Sequence, residues 1–275
     1  MICFPNAKIN LGLDIVSRRV DGYHNLETIF YPIGLKDALE IVPASEGSET
    51  GGKEHRFFQS GIAVDGEEQD NLVIRALNLI RREREIPKID VHLLKKIPFG
   101  AGLGGGSSDA AFMLKMLNST FDLGFDDARL SWFASQLGAD CPFFIRNRPA
   151  FATGTGNLLE EIELDLSRYF FVLVKPDIAI PTAWAYSEIV PRKPDVSLKE
   201  IAVLPVESWR GTMKNDFELP IFKKYPEICE IKEQLYKLGA VYASMSGSGS
   251  SVFGFFKEKP QLGNQFKNHF VWTDR

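Results

Sequence analysis

The sequence predicts two α+β domains with a boundary near residue 150. Three observations carry that expectation. Short runs alternate apolar and polar residues, as half-buried strands do: Ile9, Leu11, Leu13 and Ile15 in one run, Ile89, Val91 and Leu93 in another. Other runs repeat apolar residues at helical spacing, as in Ala110, Met113, Leu114 and Leu117. Strands and helices mix without the regular rhythm of a doubly wound sheet. The expected domains are 1–150 and 151–275, joined by no long linker and so sharing a cleft.

Along the first half, "INLGLDI" at 9–15 reads as a strand with Lys8, Asn10 and Asp14 on its polar side. "SRRVDGYHN" at 17–25 carries an Asp-Gly turn signal. The polar, glycine-rich stretch at 44–54 reads as a surface loop. Asp70 is placed to N-cap a helix carrying Val73, Ala76, Leu77 and Ile80. A strand at 89–94 leads into the glycine-dense run at 98–111. A helix follows, and then a second one on Leu130, Phe133, Ala134 and Leu137. "ADCPFFI" at 139–145 reads as a helix exit followed by a strand.

In the second half, "YFFVLV" at 169–174 reads as a buried strand and 191–195 as a turn. Ile228, Ile231, Leu235 and Leu238 predict a helix stopped by Gly239. Residues 241–256 read as strand, glycine turn, strand.

Bulk properties exclude several classes of function. With 275 residues the chain can bury one large core or two modest ones. Its net charge of −4 argues against a general nucleic-acid binder, which carries a positive excess. The three cysteines, Cys3, Cys141 and Cys229, are too scattered for a disulfide framework or a metal motif, which fits a reducing, cytoplasmic setting. No run of apolar residues is long enough to span a membrane, and the N-terminus does not read as a signal peptide. No membrane partner is expected.

The stretch "PFGAGLGGGSSDAA" at 98–111 holds five glycines in seven residues. Glycines let successive backbone N–H groups turn inward around an anion, and a helix N-terminus adds its own N–H groups and positive dipole end. Ser107 and Ser108 add hydroxyl donors. Such a loop suits the phosphates of a nucleoside triphosphate. It is not a P-loop, because no Lys follows the glycines. "GAGLGG" at 100–105 matches a dinucleotide fingerprint, but no acidic residue stands at the end of a following strand. The protein-kinase motifs H-R-D and D-F-G do not occur.

This stretch closely resembles the ATP-binding signature of the GHMP kinase superfamily, whose members phosphorylate galactose, homoserine, mevalonate and phosphomevalonate. Four further segments resemble that family in the expected order: residues 6–30, "LGADCPFF" at 137–144, "KPDIAIPTAWAY" at 175–186 and "MSGSGSSVFGFF" at 245–256. The triple glycine and "DGYH" are similar to the branch whose acceptor alcohol carries a cytidine diphosphate, in the non-mevalonate route to isoprenoids. The resemblance implies a two-domain fold with its active site in the inter-domain cleft, and ATP and Mg2+ as cofactors.

It implies roles for particular residues. Pro98, Gly100, Ala101, Gly102, Leu103, Gly104, Gly105, Gly106, Ser107 and Ser108 would bind ATP. Asn71, in "NLVIRA", would lie near its adenine or ribose. Lys8 and Asp140 would be catalytic. A carboxylate orients the alcohol and accepts its proton, and an ammonium stabilises the developing charge. Asn10 would help hold the acceptor's hydroxyls. Tyr23 and His24 would bind the cytosine, with Tyr186 closing over it. Gly247 and Ser248, in the third motif, would shape the substrate site against the glycine loop. The metal ligands stay unassigned. Expected partners are the cytidyl substrate and ATP, with the chain a monomer or homodimer. Another GHMP kinase and a non-catalytic nucleotide-binding protein are the competing readings. "DGYH" argues against the first, and the intact Lys8 and Asp140 against the second.

Overall fold

The computed structural model describes residues 1–44, 54–63 and 66–274. In chain order the strands and helices are β1 (Ile2–Cys3), β2 (Asn6–Arg18), β3 (His24–Lys36), β4 (Ala38–Pro43), β5 (His55–Gly61), α1 (Leu72–Arg81), β6 (Ile89–Lys95), α2 (Gly105–Thr120), α3 (Asp127–Ser135) and α4 (Cys141–Arg146). They continue with β7 (Ala150–Thr153), β8 (Leu158–Glu161), β9 (Phe170–Lys175), α5 (Thr182–Ser187), α6 (Leu198–Ala202), α7 (Glu218–Lys224), α8 (Pro226–Lys237), β10 (Tyr242–Met245), β11 (Val252–Phe256) and β12 (Phe270–Asp274). The loop expected at 44–54 falls, apart from its end residues, outside the described residues.

The chain forms two compact units. The first comprises Met1–Ala7, Ile33–Phe99 and Gly104–Asn147. Its sheet runs β1-β4-β6-β5, with β5 and β6 parallel and the other pairs antiparallel. Of the alternation at 89–94, Ile89, Val91 and Leu93 are buried and His92 and Leu94 exposed, but Asp90 on the outward side is buried too. Helix α1 packs on α2, and α2 and α3 pack on α4. The predicted stripes Val73, Ala76, Leu77, Ile80 and Ala110, Met113, Leu114, Leu117 are all fully buried. Each large aliphatic among them stabilises the fold by about 1.5–3 kcal/mol, so a charge at Leu77 or Leu114 would break this layer.

The second unit comprises Lys8–Pro32, Gly100–Leu103 and Arg148–Arg275. It holds one sheet ordered β2-β3-β7-β8 and another ordered β10-β11-β9-β12. Strands β10 and β11 pair antiparallel across the predicted glycine turn. Val172, Val174, Val252 and Phe256 form its core with Ile228, Ile231 and Leu235 of α8 and with Leu13 and Ile15 of β2. Helix α8 ends two residues before Gly239, as predicted.

Four expectations need correction. Strand β2 is not half-buried: its polar side is covered too, with Lys8 4% and Asn10 3% exposed. Asp70 closes a 3-10 turn, and the N-cap of α1 is Asn71, whose side chain accepts from Val73 N. Helix α2 begins inside the glycine run, at Gly105. Residues 141–146 form helix α4, not a strand. Pro142 lies in its first turn, where the missing N–H costs nothing and the fixed φ suits a helix. Asp140 therefore stands at the N-cap of a helix rather than past a C-terminus. The dipole end nearest it is positive and favours a carboxylate.

Candidate active site

In the first unit the glycine run ends in the start of α2. Gly104, the N-cap, has φ +68°, a left-handed conformation that only glycine adopts without strain. No side chain caps this terminus and no acidic residue lies in its first turn. The first N–H groups of a helix have no intrahelical partner, so this end is suited to an anion. Gly105 is forced by packing, since a Cβ there would lie 2.8 Å from Ile97 Cγ2. Gly106 is not. A Cβ there would meet only Leu72 Cδ1, at an ordinary 3.7 Å. Its bare backbone instead faces a cavity of about 400 Å³ lined also by Phe57, Asn71, Leu72, Lys95, Phe99 and Asp109.

Asn71 thus does two things. It caps α1, and it lines the cavity with its amide directed at Gln59 Oε1, 3.3 Å away. Ser107 is half-buried. Ser108 is fully buried, and its hydroxyl has no hydrogen-bond partner, so Ser107 is the loop serine within reach of solvent. Pro98 is buried at the end of the stretch after β6. The segment carrying Asp140 lies beside the loop helix: a Cβ at Gly138 would be 3.3 Å from Cys141 Sγ and 3.9 Å from Ser107 Oγ. Burial pushes the Cys141 thiol up to about 11, so it is not a nucleophile near neutral pH.

The second unit gathers the remaining predicted residues. Lys8 Nζ donates to Asn10 Oδ1 at 2.6 Å and lies 4.6 Å over the ring of Phe30. Asn10 Nδ2 donates to Thr28 Oγ1 at 3.0 Å, and Thr28 Oγ1 donates to Gly12 O at 2.6 Å. The backbone of β2 meets the glycine run directly, since Lys8 N donates to Leu103 O at 2.9 Å. Ser246 ties the third motif to both: its Oγ accepts from Asn10 N at 3.1 Å and donates to Gly102 O at 2.8 Å. Gly102 has φ +75°, and a Cβ there would fall 2.0 Å from Ser246 O. Ala101 O accepts from Ser251 N at 3.4 Å, and Gly100 begins this segment. Asn215 braces the third motif by donating to Met245 O and Gly247 O, each at 2.8 Å. Ser248 Oγ lies 3.4 Å from Thr182 Oγ1.

Farther along the hairpin, His24 stacks on Tyr186 with ring centroids 5.1 Å apart and planes 24° from parallel. Tyr186 meets Phe217 edge-on at 4.9 Å. Tyr23 is 67% exposed on the turn, which Arg19 N closes by donating to Tyr23 O. Two carboxylates lie on this unit's polar side. Burial, Asp216 and Glu27 push Asp14 up to about 7. Asp216 is also raised, by burial, although its Oδ2 accepts from Ile15 N at 2.7 Å.

Sequence reading missed Thr28, Ser246 and Asn215. Thr28 and Ser246 lie inside segments that resemble the family, but each of the three acts through partners far away in sequence, which no local pattern shows. It also missed that Lys95, Asp37 and Asp109 are buried as a set, because they lie far apart in sequence. Among the described residues no group of three or more His, Cys, Asp or Glu side chains could hold a metal ion. None of the described helices is long and apolar enough to cross a membrane.

Two family domains match the chain: the GHMP kinases N terminal domain over residues 71–148 and the GHMP kinases C terminal domain over 198–270. The 4-diphosphocytidyl-2-C-methyl-D-erythritol kinase of Parabacteroides distasonis is 55% identical over 274 residues, covering 99% of this chain and 98% of that one. The enzyme of the same name from Bacteroides fragilis is 53% identical over 262 residues, covering 95% and 94%. A crystal structure of 4-(cytidine 5'-diphospho)-2C-methyl-D-erythritol kinase superposes with TM-score 0.80 at 33% identity, covering 99% of this chain and 98% of that one. The mevalonate kinase of Methanococcus jannaschii, at 14% identity and TM-score 0.66 over 99% and 97%, shares the fold. With the glycine-led helix, the ordered motifs and full-length relatives in agreement, the chain belongs to the GHMP kinases and, within them, to the 4-diphosphocytidyl-2-C-methyl-D-erythritol kinase family.

Proposed function

We propose that this chain transfers the γ-phosphoryl group of ATP to the 2-hydroxyl of 4-diphosphocytidyl-2-C-methyl-D-erythritol, giving the 2-phosphate and ADP, as a cytoplasmic enzyme of isoprenoid precursor synthesis. The observation that carries the nucleotide half of this reading is Gly106. Its missing side chain answers no packing demand in the protein, and it faces a cavity from an uncapped helix start. Phosphate oxygens would take the first N–H groups of α2 and the Ser107 hydroxyl. The base and ribose would enter the cavity against Phe57, Asn71 and Leu72.

Lys8 and Asp140 take the catalytic roles. Asp140 orients the alcohol and accepts its proton from its place at a helix N-terminus, where the dipole end is positive. Lys8, fixed by Asn10, stabilises charge on the transferring group. Asn10 and its partner Thr28 keep the polar side of β2 ordered for the acceptor's hydroxyls. His24 and Tyr186 present an aromatic step for the cytosine, and Tyr23 is free to cover its other face. Gly247, which lies against Asn10 and Gly102, and Ser248 shape the acceptor's site beside the glycine run.

Mg2+ fits this arrangement without a side-chain cage. The ion keeps several waters and is commonly held by substrate phosphates with one or two protein oxygens, and Ser107 is the loop hydroxyl placed to add one. When bound, it neutralises charge on the β- and γ-phosphates.

A coupled ADP-release assay over a panel of alcohols tests the reading. Release should depend on the cytidyl acceptor and be slow with mevalonate or homoserine. Asp140→Asn should bind both substrates calorimetrically while turnover falls by roughly 10²- to 10⁴-fold. Equal release with every alcohol, or near-normal turnover in the variant, would contradict it.

A further inference from the structure

Three charged side chains are buried together behind the glycine-led helix. Lys95, at the end of β6, is 4% exposed; Asp37 is 1% and Asp109 2% exposed. Lys95 Nζ pairs with Asp37 Oδ2 and, at 2.6 Å, with Asp109 Oδ2. Asp37 is itself anchored, since its Oδ1 accepts from Lys96 N and from Ile97 N. The second oxygen of Asp109 is buried with no partner. Burial alone would lower Lys95, but the two carboxylates more than reverse this and hold it charged. Burial pushes Asp109 up to about 7 against the pull of Lys95, because one ammonium cannot neutralise two carboxylates.

Such a set is costly to bury, and replacing a buried ion pair by apolar side chains is often neutral or stabilising. Core formation therefore gives no reason for it. Its place does. Asp109 lies on the second turn of α2, four residues beyond Gly105, and the ammonium lies 3.4 Å from where a Cβ of Gly105 would stand. The glycines that make this terminus open to an anion also leave it without a side-chain cap and conformationally soft. Lys95 grips that turn from behind, and both Lys95 and Asp109 line the cavity beside Gly106.

We propose that Lys95 is a positioning residue for the nucleotide. Clamped between Asp37 and Asp109, it locks the first turns of α2 to β6 and so holds the N–H groups of Gly105 and Gly106 ready for phosphate. The inference rests on the reading that ATP phosphates sit at this terminus. It assigns Lys95 no contact with the reacting atoms.

The test compares wild type, Lys95→Met and Asp109→Asn. Affinity for a non-hydrolysable ATP analogue with Mg2+ is measured by calorimetry, alongside KM for each substrate and the thermal midpoint. Both variants should weaken nucleotide binding by roughly ten- to a hundred-fold, the scale on which misplaced positioning groups act. KM for the cytidyl acceptor should stay unchanged. Asp109→Asn keeps the side chain's shape and an acceptor for Lys95, so it stays informative if Lys95→Met fails to fold. Variants that bind the analogue like wild type, with only a lowered midpoint, would overturn the positioning role and leave the glycine-loop reading intact. A folded wild type that binds no nucleotide would overturn both.

Discussion

Lys8 and Asn10, two residues apart on one side of β2, are joined by a 2.6 Å hydrogen bond in which the ammonium donates to the amide oxygen. The other end of the same amide donates to Thr28, so the Asn10 side chain has one allowed orientation. Asn10→Leu removes an acceptor from a buried charge and a donor from a buried hydroxyl. A hydrogen bond to a charged group contributes about 1.5–3 kcal/mol, and denaturant melts should show a loss of that order. Turnover should fall further than ATP affinity does. Unchanged turnover in a stably folded variant would remove Asn10 from the site.

Gly102 and Ser246 are held at backbone contact. In Gly102→Ala the new methyl would stand 2.0 Å from Ser246 O, and no rotamer can relieve that. The left-handed φ adds about 1–2 kcal/mol for a non-glycine residue. We expect a lower thermal midpoint and a sharp fall in kcat/KM. Gly106→Ala, where a Cβ has room within the protein, should instead leave the midpoint near wild type and weaken ATP binding. Equal midpoints in the two variants would show that the packing distinction between these glycines is wrong.

These contrasts mark what was legible in the sequence. Periodicity found the strands at 9–15 and 89–94 and the stripes of α1 and α2, and a glycine turn between two apolar runs marked the strands at 241–256, because each is set by local sequence. It failed at 141–146. There a short apolar run suits strand or helix equally, and the decision rests on Pro142 opening a turn. It also misplaced the α1 cap by one residue, since Asp70 and Asn71 are both good capping types. Glycine density pointed to the run at 98–106 that is proposed to take phosphate. It could not show that Gly105 answers to Ile97 while Gly106 answers to nothing in the protein. Asp109 stands in the glycine-run motif, but its buried pairing with Lys95, and with it Asp37, was invisible, because only the folded chain brings the three together.

His24 rests on Tyr186 and takes no part in the Lys8 network. If the pair binds the cytosine end, His24→Ala should cost roughly ten- to a hundred-fold in kcat/KM for the cytidyl acceptor, the worth of one buried hydrogen bond with its stranded partner. The slow reaction of an acceptor lacking the base should barely change. An equal loss on both acceptors would place His24 in the catalytic centre or the fold.

Asp14 makes stability depend on pH. Its folded value, near 7, lies above the ordinary 3.8, raised by burial and by Asp216 and Glu27. The folded state therefore binds more protons than the unfolded state between these values. Asp14's contribution is fully present below about 4 and is lost as pH rises through 7. Asp14→Asn should flatten this dependence, so that its midpoint exceeds that of wild type at pH 8 by more than at pH 5. A parallel shift at both pH values would contradict the assignment.

Phosphate goes to the 2-hydroxyl of the cytidyl acceptor. That hydroxyl sits on a carbon bearing a methyl group and no hydrogen, whereas the other free alcohols of the acceptor sit on carbons that bear hydrogen. The ³¹P spectrum of the product formed from ATP and the acceptor therefore reads the position directly. One new monoester resonance is expected, with no three-bond coupling to a proton, alongside ADP and an intact diphosphate bridge. A monoester resonance split by carbinol protons, or the absence of any new ester while ADP accumulates, would contradict it.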